Sequence, residues 1–299
     1  MRHVLSVSDW RREDVRWMLA RASDWKSGHA EPVEPGPRGV LILERASLRT
    51  RIAYEIAFHA LGGSLTVFEG GVGTSDSIAD VARTLSTMLD IALIRASDHR
   101  MLAQISAAAT IPIINALSSR EHSVEVLADA LIVQEVFGST EGRKIAFVGD
   151  GGNVCASLLL LAPLLGMHAA VASPDSHALD GRVLDEIASL AELHETEFHS
   201  TSEADVAVED ADVVYTDGWP SLEGPDEQEA EFARYRVTEH LMAQAAPHAI
   251  FLHCLPAARG REVTDAVLDS EQSHAFKRLA NLAPTSAAMI EWALEREAL

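Results

Sequence analysis

The sequence predicts an α/β fold built as two parallel-sheet domains, and three observations carry that prediction. Short continuous apolar runs such as Gly39-Val40-Leu41-Ile42-Leu43 and Ile145-Ala146-Phe147-Val148 lack the alternation of a one-sided sheet. They suit strands buried on both faces. Stretches with helical periodicity separate these runs, which implies parallel strands joined by crossover helices. The whole pattern restarts after 139–142, and 299 residues are enough for two cores of ordinary size.

In chain order, residues 8–27 predict a helix capped by Ser8, with Val15, Met18, Leu19 and Ala22 as its apolar stripe. A Pro/Gly/Glu loop at 29–38 precedes the strand at 39–43. A helical pattern at 52–61 closes at Gly62-Gly63. A strand at 65–68, a helix at 77–88, a strand at 91–94, a helix at 98–108 and a strand at 111–114 continue the alternation. A longer helix at 122–137 leads to Gly138. The second domain begins with the strand at 144–148 and the turn Gly149-Asp150-Gly151-Gly152. A helix at 153–165, a strand at 169–172, a helix at 180–192 and a strand at 213–216 follow. After an acidic loop come a helix at 238–245, a strand at 249–252 and a terminal helix at 284–297.

The formal net charge of −21 argues against nucleic acid or an anionic membrane surface as a partner. Any anion site must therefore be built locally, against the field of the whole chain. No apolar run approaches the ~20 residues of a spanning helix, and the first residues lack signal-peptide architecture. Cys155 and Cys254 lie far apart, and no His or Cys pair has metal-ligand spacing. A reducing, cytoplasmic setting without a structural metal is the expectation.

Two strand ends carry the chemistry. The apolar run at 249–252 stops abruptly in His253-Cys254-Leu255-Pro256, which places two reactive side chains at a sheet edge where open α/β sheets bind ligands. After the first strand comes Ser47-Leu48-Arg49-Thr50-Arg51. A helix N-terminus offers unpaired N–H groups and a positive dipole end, and hydroxyls and arginines beside it suit phosphate oxygens. Ordinary capping by Ser47 or Thr50 is the plainer alternative. Gly149-Asp150-Gly151 is not a dinucleotide fingerprint, because Val154 stands where the third glycine belongs.

With both strand ends in view, the chain resembles the ornithine and aspartate carbamoyltransferases over nearly its full length, and His-Cys-Leu-Pro points to the ornithine branch. Ser47-Leu48-Arg49-Thr50-Arg51 resembles the family's Ser-Thr-Arg-Thr-Arg, and Asp80-Val81-Ala82-Arg83-Thr84-Leu85 its Asp-Thr-Ala-Arg-Val-Leu helix. Arg95 follows the third strand, and the run 111–117 resembles the segment before the family's His-Pro-x-Gln. Val148-Gly149-Asp150-Gly151-Gly152-Asn153 resembles Val-Gly-Asp-Gly-x-Asn. Tyr215-Thr216-Asp217 with Ser221-Leu222 resembles the family's substrate loop.

The resemblance implies two doubly wound parallel-sheet domains with the active site in the cleft between them. Residues 1–138 would bind carbamoyl phosphate and 139–283, Rossmann-like, the amino acid, with 284–299 packing back on the first domain. Ser47, Arg49 and Thr50 would hold the phosphate, with the Leu48 backbone N–H. Thr50, Arg95 and His122 would stabilise the carbamoyl oxygen. Glu125 and the Leu255 carbonyl would accept from the carbamoyl NH2. Asn153, Asp217, Ser221 and Leu222 would grip the α-amino and α-carboxylate groups, with Cys254 beside the attacking amine and His253 in the same turn. Neither metal nor organic cofactor is implied, and a homotrimer or a multiple of it is. Turn formation by Asp217 and helix capping by Asn153 or His122 are the plainer alternatives for those residues.

Four departures from the family pattern stand out. His122-Ser123-Val124-Glu125 replaces His-Pro-x-Gln, so an acid stands where an amide is expected. Asn281-Leu282 replaces an Asn-Arg pair, the stretch 69–76 lacks a Lys or Gln that relatives extend into a neighbouring subunit, and Leu48 replaces a Thr. A carboxylate gained and a guanidinium lost both weaken binding of a highly charged donor, by ~4 kcal/mol per charge at ~4 Å and an effective dielectric of ~20. Glu125 must be protonated or paired with a cation, or the ligand differs. Two rivals to ornithine carbamoylation follow: a specialised enzyme with another amine or transferred group, and a catalytically silent metabolite-binding paralogue.

Overall fold

The structure is a computed structural model that describes residues 2–32, 34–72, 76–219 and 227–294, the side chains of 227–229 excepted. In chain order the elements are α1 (Arg12–Ser27), β1 (Arg38–Leu43), α2 (Leu48–Ala60), β2 (Ser64–Glu69), α3 (Ile78–Met88), β3 (Ile91–Arg95), α4 (His99–Ala108) and β4 (Ile113–Leu117). Next come α5 (Ser123–Phe137), β5 (Lys144–Val148), α6 (Asn153–Leu164), β6 (His168–Ala172), α7 (Gly181–Leu193), β7 (Phe198–Thr201), α8 (Ala204–Val208) and β8 (Val213–Thr216). The chain continues through α9 (Glu227–Phe232), α10 (Glu239–Met242), β9 (Ile250–His253), α11 (Asp265–Leu268) and α12 (Leu279–Leu294). It divides into one unit of Met1–Leu131 with Ala280–Leu299 and a second of Ile132–Leu279.

The first unit holds a parallel sheet of order β2-β1-β3-β4. Its inner strands β1 and β3, and the edge strand β4, are largely apolar and buried along almost their whole length, as strands covered on both faces must be. Val40, Ile42, Ala92 and Ile94 pack with Leu102 and Ile105 of α4. The sequence order reverses between β1 and β3, so loops leaving their carboxyl ends open a crevice there. Ser47 lies in the first of these loops, and Arg95 ends β3.

The second unit is a five-stranded parallel sheet of order β7-β6-β5-β8-β9, a doubly wound arrangement whose reversal lies between β5 and β8. Its core joins Ala146, Val148, Val214 and Phe251 of the strands to Tyr235, Val237 and Val263. Gly149 and Asp217 follow the two strands that flank this reversal, and the His-Cys-Leu-Pro turn leaves the adjacent edge strand β9.

Three sequence expectations need correction. The helix expected at 8–27 is broken: a 3-10 turn at Val7–Asp9 comes first, capped by the Ser6 hydroxyl, and α1 starts at Arg12. Trp10 takes an extended conformation between them and is buried, so burial of the indole overrides helix continuity. Ser8 is therefore not the cap of α1. The helix expected at 52–61 begins a turn earlier, at Leu48, which makes Ser47 its N-cap residue. The terminal helix begins at Leu279 rather than 284, with Pro284 inside it, and its indole Trp292 donates to Asp14 of α1 at 3.1 Å.

Candidate active site

The donor half is built on the first unit. Ser47 is extended and its side chain makes no capping hydrogen bond to α2. The N–H groups of the first turn are therefore left to a ligand or water. Ser47 Oγ lies 2.9 Å from Thr50 Oγ1, and Arg95 Nη1 donates to the same Thr50 oxygen at 3.2 Å. Thr50 is buried, while Ser47 and Arg49 are half-buried and the Leu48 side chain is 74% exposed. Arg51, which the sequence offered as a second phosphate cation, is engaged elsewhere: it donates to Glu55 at 2.9 Å and to Glu69 at 3.2 Å.

His122 precedes α5, and its carbonyl accepts from Glu125 N–H at 3.2 Å. Glu125 is in the first turn of α5, where the helix dipole favours a carboxylate. Its Oε2 stands 3.4 Å from His122 Nε2, and both side chains are about nine-tenths buried. The structure thus places the His122 ring beside Glu125. Tyr54, on α2, completes the cluster. Burial pushes its hydroxyl pKa up, the Glu125 charge adds to this, and Arg95 opposes it. Its hydroxyl is buried with no hydrogen-bond partner among the described residues.

The acceptor half belongs to the second unit. The glycine turn after β5 is closely packed: Gly149 has φ +131°, and a Cβ on Gly151 would lie 2.5 Å from Leu179 N. Asn153, the first residue of α6, is half-buried, and its Oδ1 accepts from Val154 N–H at 2.9 Å. Asp217 leaves β8 and accepts from the Cys254 thiol at 2.7 Å and from Gly218 N–H at 2.7 Å. Desolvation first of all pushes the nearby Asp150 carboxyl up to about 6. His177 opposes that rise and Asp217 adds to it. Ser221 and Leu222 lie outside the described residues.

The His-Cys-Leu-Pro turn is held by a network of its own. His253 is fully buried, and its Nδ1 accepts from Leu255 N–H at 2.8 Å. That fixes the proton on Nε2, which faces Glu262 Oε1 at 3.3 Å. Glu262, also fully buried, accepts in addition from Ala258 N–H. Leu255 has φ +63°, an unusual conformation for a branched residue, worth on the order of 1–3 kcal/mol of strain. Arg278 Nη1 donates to the Cys254 carbonyl at 3.3 Å. The ligating atoms of Asp217, His253 and Cys254 lie within 4.8 Å of one another. Both imidazole nitrogens and the thiol are, however, already engaged inside the turn.

Sequence reasoning missed Glu262, Arg278 and Tyr54. Glu262 follows Arg-Gly-Arg in a polar loop, and Arg278 lies among ordinary surface-type residues; only folding buries them. Cys155, the other cysteine, is fully buried within α6, and burial pushes its thiol pKa well up.

Comparisons with known proteins agree with this layout. Residues 2–135 match the carbamoyl-P binding domain of aspartate/ornithine carbamoyltransferase, and residues 141–293 match its Asp/Orn binding domain. The chain belongs to the aspartate/ornithine carbamoyltransferase family. The ornithine carbamoyltransferase of Methanobrevibacter smithii is 39% identical over 290 residues, 94% of this chain and 95% of that one. That of Anoxybacillus flavithermus is 37% identical over 291 residues, 93% and 91% of the two chains. The structure of ornithine carbamoyltransferase from Pyrococcus furiosus superposes with a TM-score of 0.93 at 32% identity, covering 97% of this chain and 96% of that one.

Against the carbamoyltransferase pattern, Leu282 is a buried apolar residue and supplies no charge. Arg278, four residues earlier, is fully buried and brings a guanidinium to the His-Cys-Leu-Pro turn.

Proposed function

We propose that this protein is a carbamoyltransferase that moves the carbamoyl group of carbamoyl phosphate to the side-chain amine of ornithine. The observation that carries this reading is the turn at Cys254, whose thiol donates to Asp217 at 2.7 Å beside the Leu255 carbonyl, a set of groups suited to an amine at a sheet edge. It accompanies a family match over both halves of the chain.

In this reading, residues 1–138 carry the donor half, 139–283 the acceptor half, and 284–299 return to the first. Ser47, Arg49, Thr50 and the N–H groups at the start of α2, that of Leu48 included, hold the phosphate. Arg95, Thr50 and His122 donate to the carbamoyl oxygen as negative charge grows on it. Glu125 Oε2 stands 3.4 Å from His122 Nε2 and holds the ring in place for this donation. Glu125 and the Leu255 carbonyl then accept from the carbamoyl NH2. Asn153, Asp217, Ser221 and Leu222 hold the amino-acid end, His253 orients the turn, and Cys254 receives the side-chain amine.

The neutral amine nitrogen attacks the carbamoyl carbon. The C–O bond to phosphate breaks, phosphate leaves with its electron pair, and the proton lost by the attacking nitrogen goes to the departing phosphate. A neutral amine is needed because an ammonium has no lone pair, and removal from water favours it.

We further propose that the protein is cytoplasmic and that it assembles as a homotrimer or a multiple of one. No helix among the described residues is long and apolar enough to cross a membrane. Leu48, Ile52 and Ile56 are spaced four residues apart along α2 and are 74%, 45% and 53% exposed, and Phe68 of edge strand β2 is 52% exposed. Such a stripe beside an unpaired strand edge suits a second copy of the chain. Ile52→Glu with Ile56→Glu tests this by light scattering: a smaller particle is expected, and an unchanged mass contradicts it.

The activity is tested by phosphate release and thermal shift. Carbamoyl phosphate alone raises the melting temperature, and rapid phosphate release requires ornithine as well. Binding of donor without ornithine-dependent release would favour the silent paralogue, and release only with other amines the specialised enzyme.

A further inference from the structure

One peptide group in the second unit is gripped from both ends. The plane between Cys254 and Leu255 presents its N–H to His253 Nδ1 at 2.8 Å and its carbonyl to Arg278 Nη1 at 3.3 Å. The His253 grip is itself backed by buried Glu262 at 3.3 Å. Leu255, the residue this plane leads into, is held at φ +63°. A peptide plane fixed at one end can still pivot about that bond. Fixed at both ends, it cannot turn without breaking a buried hydrogen bond.

Arg278 is the largest fully buried side chain described, at 0% exposure. Burying a guanidinium costs several kcal/mol, so an arginine whose task were packing alone would be a poor choice against methionine or leucine. Its planar donors, by contrast, suit a carbonyl that must be held in one direction.

We propose that Arg278 is a positioning residue of the amine-handling turn. It clamps the Cys254 carbonyl so that the Cys254 thiol stays on Asp217 and the Leu255 carbonyl stays aimed at the carbamoyl group. This rests on the carbamoyltransferase reading for its effect on turnover, but the clamp itself is measurable without any substrate. The plane is then a two-handed device: His253, backed by Glu262, sets its amide end, and Arg278, the residue before α12, sets its carbonyl end.

The test uses the full chain with Arg278→Met and Arg278→Lys, each checked for folding by circular dichroism and thermal melting. Native-state modification by an aromatic disulfide reagent reads the state of Cys254. Cys155 is fully buried, and a Cys254→Ala control identifies the signal. With the clamp gone, Arg278→Met reacts at least tenfold faster than the parent. Its kcat for carbamoyl transfer falls at least tenfold, while KM for ornithine moves less than threefold. Arg278→Lys, which keeps the charge but not the fork, reacts at least threefold faster, and it decides the matter should the methionine variant fail to fold. A thiol rate below these limits in a folded variant overturns the proposal. Loss of the clamp in a protein whose parent shows no carbamoyl transfer would refute the proposed activity and leave the clamp standing.

Discussion

The two half-sites are built from different materials. In the acceptor half, side chains hold one another: Asp217 takes the Cys254 thiol, His253 takes Leu255 N–H, Glu262 backs His253, and Arg278 takes the Cys254 carbonyl. In the donor half, the proposed phosphate grip is chiefly the backbone at the start of α2, to which the cap residue makes no side-chain hydrogen bond. The substitutions that separate this chain from the carbamoyltransferase pattern at Leu48 and Glu125 fall in the backbone-built half. A cradle of N–H groups tolerates a changed side chain, because the groups that bind are common to every residue. A closed side-chain network does not, since each member satisfies a buried partner.

Arg95→Ala removes a donor to Thr50 and to the developing oxyanion. It is expected to lower kcat by roughly 10²–10³ with little change in melting temperature; a loss below tenfold would remove Arg95 from the chemistry. Glu262→Ala orphans buried His253 and Ala258 N–H and should cost about 3–5 kcal/mol of stability by calorimetry. A loss under 1 kcal/mol would show that the acceptor network is not the rigid half. Glu125→Gln removes a charge near the phosphate dianion but also releases His122. Donor affinity should tighten by about tenfold while kcat falls several-fold. Unchanged values for both would break the electrostatic account of that pair.

A smaller effect concerns pH. Asp150 has its carboxyl pushed up to about 6 by desolvation first of all, against a model-peptide value of 3.8. The native state therefore binds this proton more tightly than the unfolded chain, and stability attributable to Asp150 falls as pH rises from 3.8 to 6. Asp150→Asn should be more stable than the parent at pH 8, and that advantage should vanish at about pH 4. Equal gains at both pH values would contradict the raised carboxyl. Smallest of all, Leu48→Thr should alter KM for carbamoyl phosphate by less than about threefold, since the N–H it offers is unchanged. A larger gain would mean that the side chain at 48 matters more than its backbone.

Much of this was legible in the sequence. Buried parallel strands announce themselves as continuous apolar runs, which is why β1, β3, β5, β8 and β9 were found nearly to the residue. β7 was not, because an edge strand of Phe, His, Ser and Thr has only half-buried or exposed positions and carries no apolar run. Short helices such as α8 and α11 were likewise too brief for a periodicity of 3.6 to register. The candidate site residues Thr50, Arg95 and Asp217 were readable because they lie at or after the ends of strands at the two reversals of sheet order, and Cys254 because it follows the neighbouring edge strand. Glu262 and Arg278 were not, since their significance is burial against a turn nine and 24 residues away in sequence.

The most direct measurement is mass spectrometry of the products formed from carbon-13-labelled carbamoyl phosphate and a panel of amines that includes ornithine and lysine. The account predicts one labelled product, ornithine carbamoylated on its side-chain nitrogen, formed in equal amount with inorganic phosphate. Label on a different amine, or on none while the protein still binds the donor, would contradict it.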